Sequence, residues 1–310
     1  KDGWIKLETN SRGRIKKELN KKFSIPGENI KTNLISDVQE YAYSLFKDIS
    51  GAVVMVDCSN GGVNCLLSTP SFDNSEFSNG VSYEKWKSLV NDDTKPLLNR
   101  CIAGLYAPGS TYKLITSLYM IEKKGFNPNT NYFCSGNVEF GNRKFHCWKE
   151  GGHGNLNLRG AIKESCDCYF YNLAKKIKID ELAEFSKKFS LGLPTGVDIP
   201  NELSGIMPNR KWKKLNKGES WQRGETLNTV IGQGFMLATP LQISLMTAII
   251  ASGKLIRPKI QNIKQEYFDD LDVSESSLKF IREAMYSVVN EYKGTAFSSR
   301  LASKYKLVGK

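Results

Sequence analysis

Ser110 and Lys113 stand three residues apart in Ala107-Pro108-Gly109-Ser110-Thr111-Tyr112-Lys113, at the head of the apolar run from Leu114 to Ile121. On a helix that spacing puts both side chains on one face, with the hydroxyl in the first turn. The chemistry that follows is acyl transfer. A serine hydroxyl attacks poorly until a neighbour takes its proton, and a lysine desolvated in a pocket can do so. Ser-x-x-Lys occurs five times, at Ser44, Ser82, Ser110, Ser276 and Ser303, and a copy without context reads as a solvated helix face. Only the copy at Ser110 follows Pro-Gly, a sharp turn that aims the first helical N–H groups and the positive end of the dipole at the serine.

A second set of chemistry-bearing residues lies further on. Cys134, Cys147, Cys166 and Cys168 share one window with His146 and His153, and the chain has no other histidine. Cys134, Cys147, His153 and Cys166 together make a Cys3His set, a composition used by structural zinc sites, although the spacing is not that of a compact finger. A disulfide is the alternative in an oxidising compartment, with Cys134 and Cys147 as the workable pair. Cys166 and Cys168, two apart on a helix, point in different directions. Buried free thiols are the plain reading for Cys58, Cys65 and Cys101.

The elements that must position these groups follow from periodicity. Apolar residues at Val38, Tyr41, Ala42, Leu45 and Phe46 predict an amphipathic helix from Asp37 to Asp48. Gly51 to Asp57 and Val63 to Ser68 predict a hairpin joined through Ser59-Asn60-Gly61-Gly62, because Asn-Gly tolerates the positive φ of such turns. The helix that starts at Ser110 should run to about Lys124 and stop at Gly125. Further helices are expected over Leu158 to Lys176, Asp180 to Phe189 and Glu275 to Asn290, with another opened by Thr239-Pro240. Asn10-Ser11-Arg12-Gly13-Arg14 and Ile25-Pro26-Gly27-Glu28 are polar breaks near the start.

Composition bounds the function class. The chain has 310 residues, 40% hydrophobic and 11% aromatic, enough for a full core in one large domain or two. Its net charge of +12 leaves acidic partners open. Clusters such as Arg14-Ile15-Lys16-Lys17 and Lys211-Trp212-Lys213-Lys214 lack the signature of a nucleic-acid reader, so no nucleic acid is expected. No run reaches the roughly 18 apolar residues that span a bilayer, and the abrupt start at Lys1 and stop at Lys310 suit part of a longer protein.

Leu97-Leu98-Asn99-Arg100 followed by Tyr106 to Lys113 resembles the active-site entry of class B penicillin-binding proteins, the transpeptidases that cross-link bacterial peptidoglycan. The resemblance is to their elongation-type branch. These enzymes and their beta-lactamase relatives share Ser-x-x-Lys, a Ser-x-Asn or Ser-x-Asp element and Lys-Thr-Gly. Ser165-Cys166-Asp167, expected inside the Leu158 to Lys176 helix, takes the second place; Ser71 and Ser135 carry similar tripeptides out of order. Tyr305 to Lys310 resembles the start of the Lys-Thr-Gly strand, which makes Lys310 the motif lysine and places the threonine and glycine beyond it; Gly294-Thr295-Ala296 is a decoy. A protein ending at Lys310 would be nearly inactive, since one lost oxyanion donor costs about 10²- to 10³-fold. Ile231-Gly232-Gln233-Gly234, with Asn228 before it and Leu237 to Gln242 after, is a further family marker.

The resemblance implies a mixed α/β penicillin-recognising transpeptidase fold, an antiparallel sheet flanked by helices. Residues 1–29 become the remnant of an N-terminal pedestal and 30–310 the transpeptidase domain, with a possible metal-binding insertion at 127–160. Some elongation-type members hold zinc there, which strengthens the set of Cys134, Cys147, His153 and Cys166, with His153 in the Gly-His-Gly turn and Cys166 in the middle of Ser-x-Asp. No cofactor is needed for the chemistry. Ser110 would attack the penultimate D-alanine carbonyl of a stem peptide, Lys113 would take its proton, and Ser165 would pass a proton to the leaving amine. Beta-lactams would acylate the same serine. The implied setting is the bacterial inner membrane with the catalytic domain in the periplasm, anchored by a missing N-terminal segment. The implied partners are a membrane glycosyltransferase of the SEDS family and rod-shape scaffold proteins. A D,D-carboxypeptidase or beta-lactamase, and a penicillin sensor or scaffold without turnover, remain the alternatives, separated by deacylation rate.

Overall fold

The computed structural model describes residues 1–46, 49–78, 80–263, 268–302 and 305–310. The expected helix end at Asp48, and the Ser44 and Ser303 copies of Ser-x-x-Lys through Lys47 and Ser303, lie outside the described residues.

The chain divides into two units, Lys1–Thr32 and Asn33–Lys310. In the first, β1 (Trp4–Thr9) pairs antiparallel with β2 (Ile15–Lys22), and every residue of both strands is exposed. Asn10 closes the hairpin by accepting the Arg12 and Arg14 N–H groups on its side-chain oxygen, the usual service of asparagine in a turn.

The second unit opens with α1 (Ser36–Phe46), followed by β3 (Gly51–Val56) and β4 (Val63–Thr69), which form the expected antiparallel hairpin with Gly61 at φ +74°. Gln39 of α1 both donates to and accepts from the Leu66 backbone, so a side chain occupies part of the outer edge of β4. Three short helices follow, α2 (Ser75–Ser78), α3 (Tyr83–Val90) and α4 (Arg100–Ala103). Ser82 caps α3 by accepting from Lys85 N–H, so that copy of Ser-x-x-Lys is a helix start. The Ser276 copy lies in the first turn of α12 (Glu275–Asn290).

The centre of the core is α5 (Lys113–Lys124), continuously buried from Lys113 to Met120 and ended by Gly125 at φ +56°, as the sequence predicts. Around it pack the helices α6 (Leu158–Lys163), α7 (Asp167–Ala174), α8 (Ile179–Lys187), α11 (Pro240–Ser252) and α12, joined by α9 (Arg210–Lys217) and α10 (Arg223–Thr229). Thr239 and Gln242 form a reciprocal capping box at the head of α11, with Pro240 in its first turn. Between α5 and α6, β5 (Tyr132–Cys134) pairs with β8 (Gly154–Leu156), enclosing the hairpin of β6 (Asn137–Phe140) and β7 (Arg143–His146).

Two expectations are corrected. The single helix over Leu158 to Lys176 is two helices with a break at Ser165. Tyr305 to Lys310 forms no strand: Gly309 N–H donates to Met285 and Asn290 to the Leu307 carbonyl, so the segment is held by α12 instead of by a strand ladder. All β pairing among the described strands is antiparallel, in four two-stranded ladders.

Candidate active site

Gly109, at φ +58°, turns the chain into a short 3-10 segment, Gly109–Tyr112, that carries Ser110; α5 starts at Lys113. The first N–H groups of such a segment have no intrahelical partner. Behind the turn lies the Gly232 loop. Gly109 N–H donates to the Gly232 carbonyl at 2.9 Å, and a β-carbon on Gly232 would stand 2.2 Å from the Gly109 oxygen. Treated in the sequence as a family marker, Ile231-Gly232-Gln233-Gly234 is the backing of the Ser110 turn. Its signal was present as paired glycines, but a glycine's reason, here close backbone approach at φ +71°, shows only in three dimensions.

The break at Ser165 has an identifiable cause. Ser165 N–H donates to the Ile162 carbonyl and Cys166 N–H to that of Ala161, the paired bonds of a Schellman ending, with Ser165 in the left-handed position at φ +56°. Glycine usually fills that position, so a serine there marks local strain held by its surroundings. Cys166 then caps α7, and Asp167 enters its first turn, where the dipole favours a carboxylate.

These turns bring the four predicted residues together. Lys113, fully buried, donates to Asp167 Oδ1 at 2.6 Å, to the Ser165 carbonyl at 2.8 Å and to Ser165 Oγ at 3.2 Å. Ser165 Oγ in turn bonds Ser110 Oγ at 2.9 Å. The expected direct meeting of Ser110 and Lys113 is therefore replaced by a bridge: the Ser165 hydroxyl stands between amine and nucleophile. Lys310 lies alongside, donating to the Ile162 carbonyl at 2.6 Å. Burial, and then the Lys113 charge, push its amine down to about 7.

Beside this network the cysteine set converges. The ligand atoms of Cys134, Cys147, His153 and Cys166 lie within 4.8 Å of one another. His153 Nδ1 is 3.6 Å from the Cys134 sulfur and 3.5 Å from that of Cys147. Sulfur at about 2.3 Å and nitrogen at about 2.0–2.1 Å from one tetrahedral centre stand roughly 3.5 Å apart, so the set fits zinc. His153 Nε2 is buried without a partner. All seven cysteines are free thiols, so the disulfide between Cys134 and Cys147 is not formed. Hydrogen bonding to Cys147, with burial, pushes the Cys166 and Cys168 thiols up, and the same bonds hold Cys147 down.

A serine in a glycine-backed turn, bridged by a second serine to a buried lysine, is an arrangement for acyl transfer. Residues 51–310 match the family described as penicillin binding protein transpeptidase domain. The chain belongs to that family. It is 34% identical to the peptidoglycan D,D-transpeptidase MrdA of Haemophilus influenzae over 99% of its own length and 50% of the relative's. Among solved structures it is similar to the complex between penicillin-binding protein PBP2 and MreC from Helicobacter pylori, with a TM-score of 0.87 and 36% identity, covering 99% of this chain and 58% of that one. It is also similar to PBP2 of Pseudomonas aeruginosa in complex with WCK 5153, with a TM-score of 0.84 and 33% identity, over 91% of this chain and 67% of that one. The chain spans about half the length of the curated relatives it matches. No described helix is long and apolar enough to cross a membrane. One residue beside this cluster escaped sequence reasoning: Trp148, whose backbone N–H donates to Asp167 Oδ2 at 3.1 Å. No motif announces it.

Proposed function

We propose that the chain is the catalytic part of an elongation-type peptidoglycan D,D-transpeptidase, acting through a Ser110 acyl-enzyme. The observation that carries the reading is the hydrogen-bonded line from Lys113 through Ser165 to Ser110. Hydroxyl groups turn freely between donating and accepting. In acylation Ser110 donates to Ser165 while the Lys113 amine, as the base, takes the Ser165 hydroxyl proton, so the proton leaves Ser110 as its oxygen bonds the penultimate D-alanine carbonyl. The Ser110 N–H supplies one oxyanion donor. On collapse of the tetrahedral adduct the scissile C–N bond breaks, and the proton returns along the same line to the leaving D-alanine amine. The acceptor amine of a second stem peptide attacks the ester in reverse order. A beta-lactam follows the first half and stays on the serine.

Lys310, whose amine donates to the Ile162 carbonyl beside Lys113, is read as the motif lysine at the rim of a carboxylate-binding subsite. Cys134, Cys147, His153 and Cys166 would hold one structural zinc, whose service is to fix the Cys166 end of α7 and thereby Ser165 and Asp167. Residues 1–29 are read as a pedestal remnant, the setting as the periplasmic face of the inner membrane, and the partners as a SEDS-family glycosyltransferase and rod-shape scaffold proteins, the last in keeping with the MreC-bound relative.

The test is intact-mass spectrometry after incubation with a labelled penicillin, on a protein extended past Lys310 and on its Ser110→Ala variant. One adduct per chain, absent from the variant, is the expected outcome. A folded protein that takes up no label would leave the fold without its chemistry, and rapid loss of the label to water would move the reading to a hydrolase.

A further inference from the structure

Trp148 and the catalytic lysine hold the same two groups. The Trp148 backbone N–H donates to Asp167 Oδ2 at 3.1 Å, while Lys113 donates to the other oxygen, Oδ1, at 2.6 Å. The Trp148 indole N–H is shared between the carbonyls of Ser165 and Glu164 at 3.1 and 3.2 Å, and the Ser165 carbonyl also accepts from Lys113 at 2.8 Å. A carboxylate and a carbonyl have lone pairs enough for both donors. Trp148 is 58% exposed, yet both of its N–H groups are committed to this one loop. Its own position is fixed from behind. The preceding residue, Cys147, donates its N–H to the Gly136 carbonyl at 2.8 Å, and Gly152 N–H closes the following turn on Lys149 at 2.9 Å.

From this geometry we propose that Trp148 is a positioning residue of the acylation step: it holds the strained Ser165 loop and Asp167 so that the Lys113 amine points at Ser165 Oγ. A non-glycine residue at positive φ persists only where its surroundings over-determine it. The Ser165 hydroxyl must stand within reach of both Lys113 and Ser110, and relaxation of that φ would swing it away from one of them. The Trp148 donors fix the two acceptors on either side of the Cys166 hinge, the Ser165 carbonyl and the Asp167 carboxylate. The inference rests on the transpeptidase reading and deepens it.

Trp148→Phe removes the indole donor and keeps the ring and the backbone N–H. Stopped-flow acylation by a chromogenic cephalosporin, on protein extended past Lys310, separates the first-order acylation rate from the binding constant that precedes it. The expected result is a fall in the first-order rate of roughly five- to tenfold, the worth of one hydrogen bond, with the binding constant and the number of acylated sites per chain unchanged. A merely structural role would lower the acylated fraction and leave the rate of the remainder alone. Combined with Asp167→Asn, the two losses should be less than multiplicative, because both act through Lys113. A wild-type first-order rate in Trp148→Phe overturns the inference, and so does a change confined to the binding constant. A second readout needs no activity: in ¹⁵N-labelled protein the Trp148 indole proton should exchange with solvent far more slowly than those of the exposed Trp4 and Trp86. If wild-type protein extended past Lys310 takes no acyl group, the transpeptidase reading fails, and exchange of the Trp148 proton at the Trp86 rate would show separately that the indole does not hold the loop.

Discussion

Ser165, at φ +56°, carries two demands that conflict. Its backbone position favours glycine, by about 1 kcal/mol over a residue with a β-carbon, while its hydroxyl links Lys113 to Ser110. Ser165→Gly and Ser165→Ala both delete the hydroxyl and differ by the β-carbon, which at this positive φ is strained. In urea denaturation the glycine variant should be the more stable of the two by about 1 kcal/mol, and both should acylate about 10²-fold or more slowly than wild type. An alanine variant as stable as the glycine one would show that the loop costs nothing to hold, and an alanine variant acylating at full rate would remove Ser165 from the proton line. Strain maintained at one residue, against a cheaper glycine, is the mark of a site kept for its chemistry.

At the scale of elements, the position of Ser110 depends on two turns that meet. The 3-10 turn Gly109–Tyr112 presents Ser110, and the loop through Gly232 presses on its backbone at a distance that excludes any β-carbon. Gly232→Ala combines an unfavourable φ with a contact of 2.2 Å to the Gly109 oxygen, so one of the two turns must shift. The expected outcome is a loss of about 1–3 kcal/mol by chemical denaturation, together with slower acylation in the fraction that remains folded. An unaltered acylation rate in folded Gly232→Ala would mean that the loop supports the fold without setting the position of Ser110. Elements also account for the legibility of the rest: α5 ends at Gly125, α11 begins at Thr239-Pro240 and α12 begins at Glu275, as the sequence predicts, because helix start and stop signals are local.

For the molecule as a whole, the question is what holds the segment from β5 to β8 against α6 and α7. Its strands are three or four residues long, too short to be stable by pairing alone. The Cys134, Cys147, His153 and Cys166 set gathers side chains from this segment and from the start of α7. If one zinc occupies it, protein purified without chelator should contain about one zinc per chain by elemental mass spectrometry, and Cys166→Ser should lose it. Prolonged chelation should lower the melting temperature, and added zinc should restore it, since a ligand of the native state stabilises by mass action. Metal-free protein with an unchanged melting curve would leave the set as packed thiols.

The sequence by itself determined what is local: the hairpin at Gly61, the helix opened by Pro240 and the last helix over Glu275–Asn290. It also determined the chemistry-bearing residue types, because Ser-x-x-Lys after Pro-Gly and a Cys3His composition are readable without coordinates. Tertiary structure decided the rest. Periodicity carried one helix through Ser165, because apolar spacing continues across a break that is made by backbone bonds and a positive φ. The spacing of Ser110 and Lys113 suggested direct contact, whereas the buried amine turns to partners 52 and 54 residues away in sequence, and Ser165 fills the gap. The part played by Trp148 is carried by backbone and indole N–H groups, and which carbonyl or carboxylate they meet depends on how the chain returns on itself.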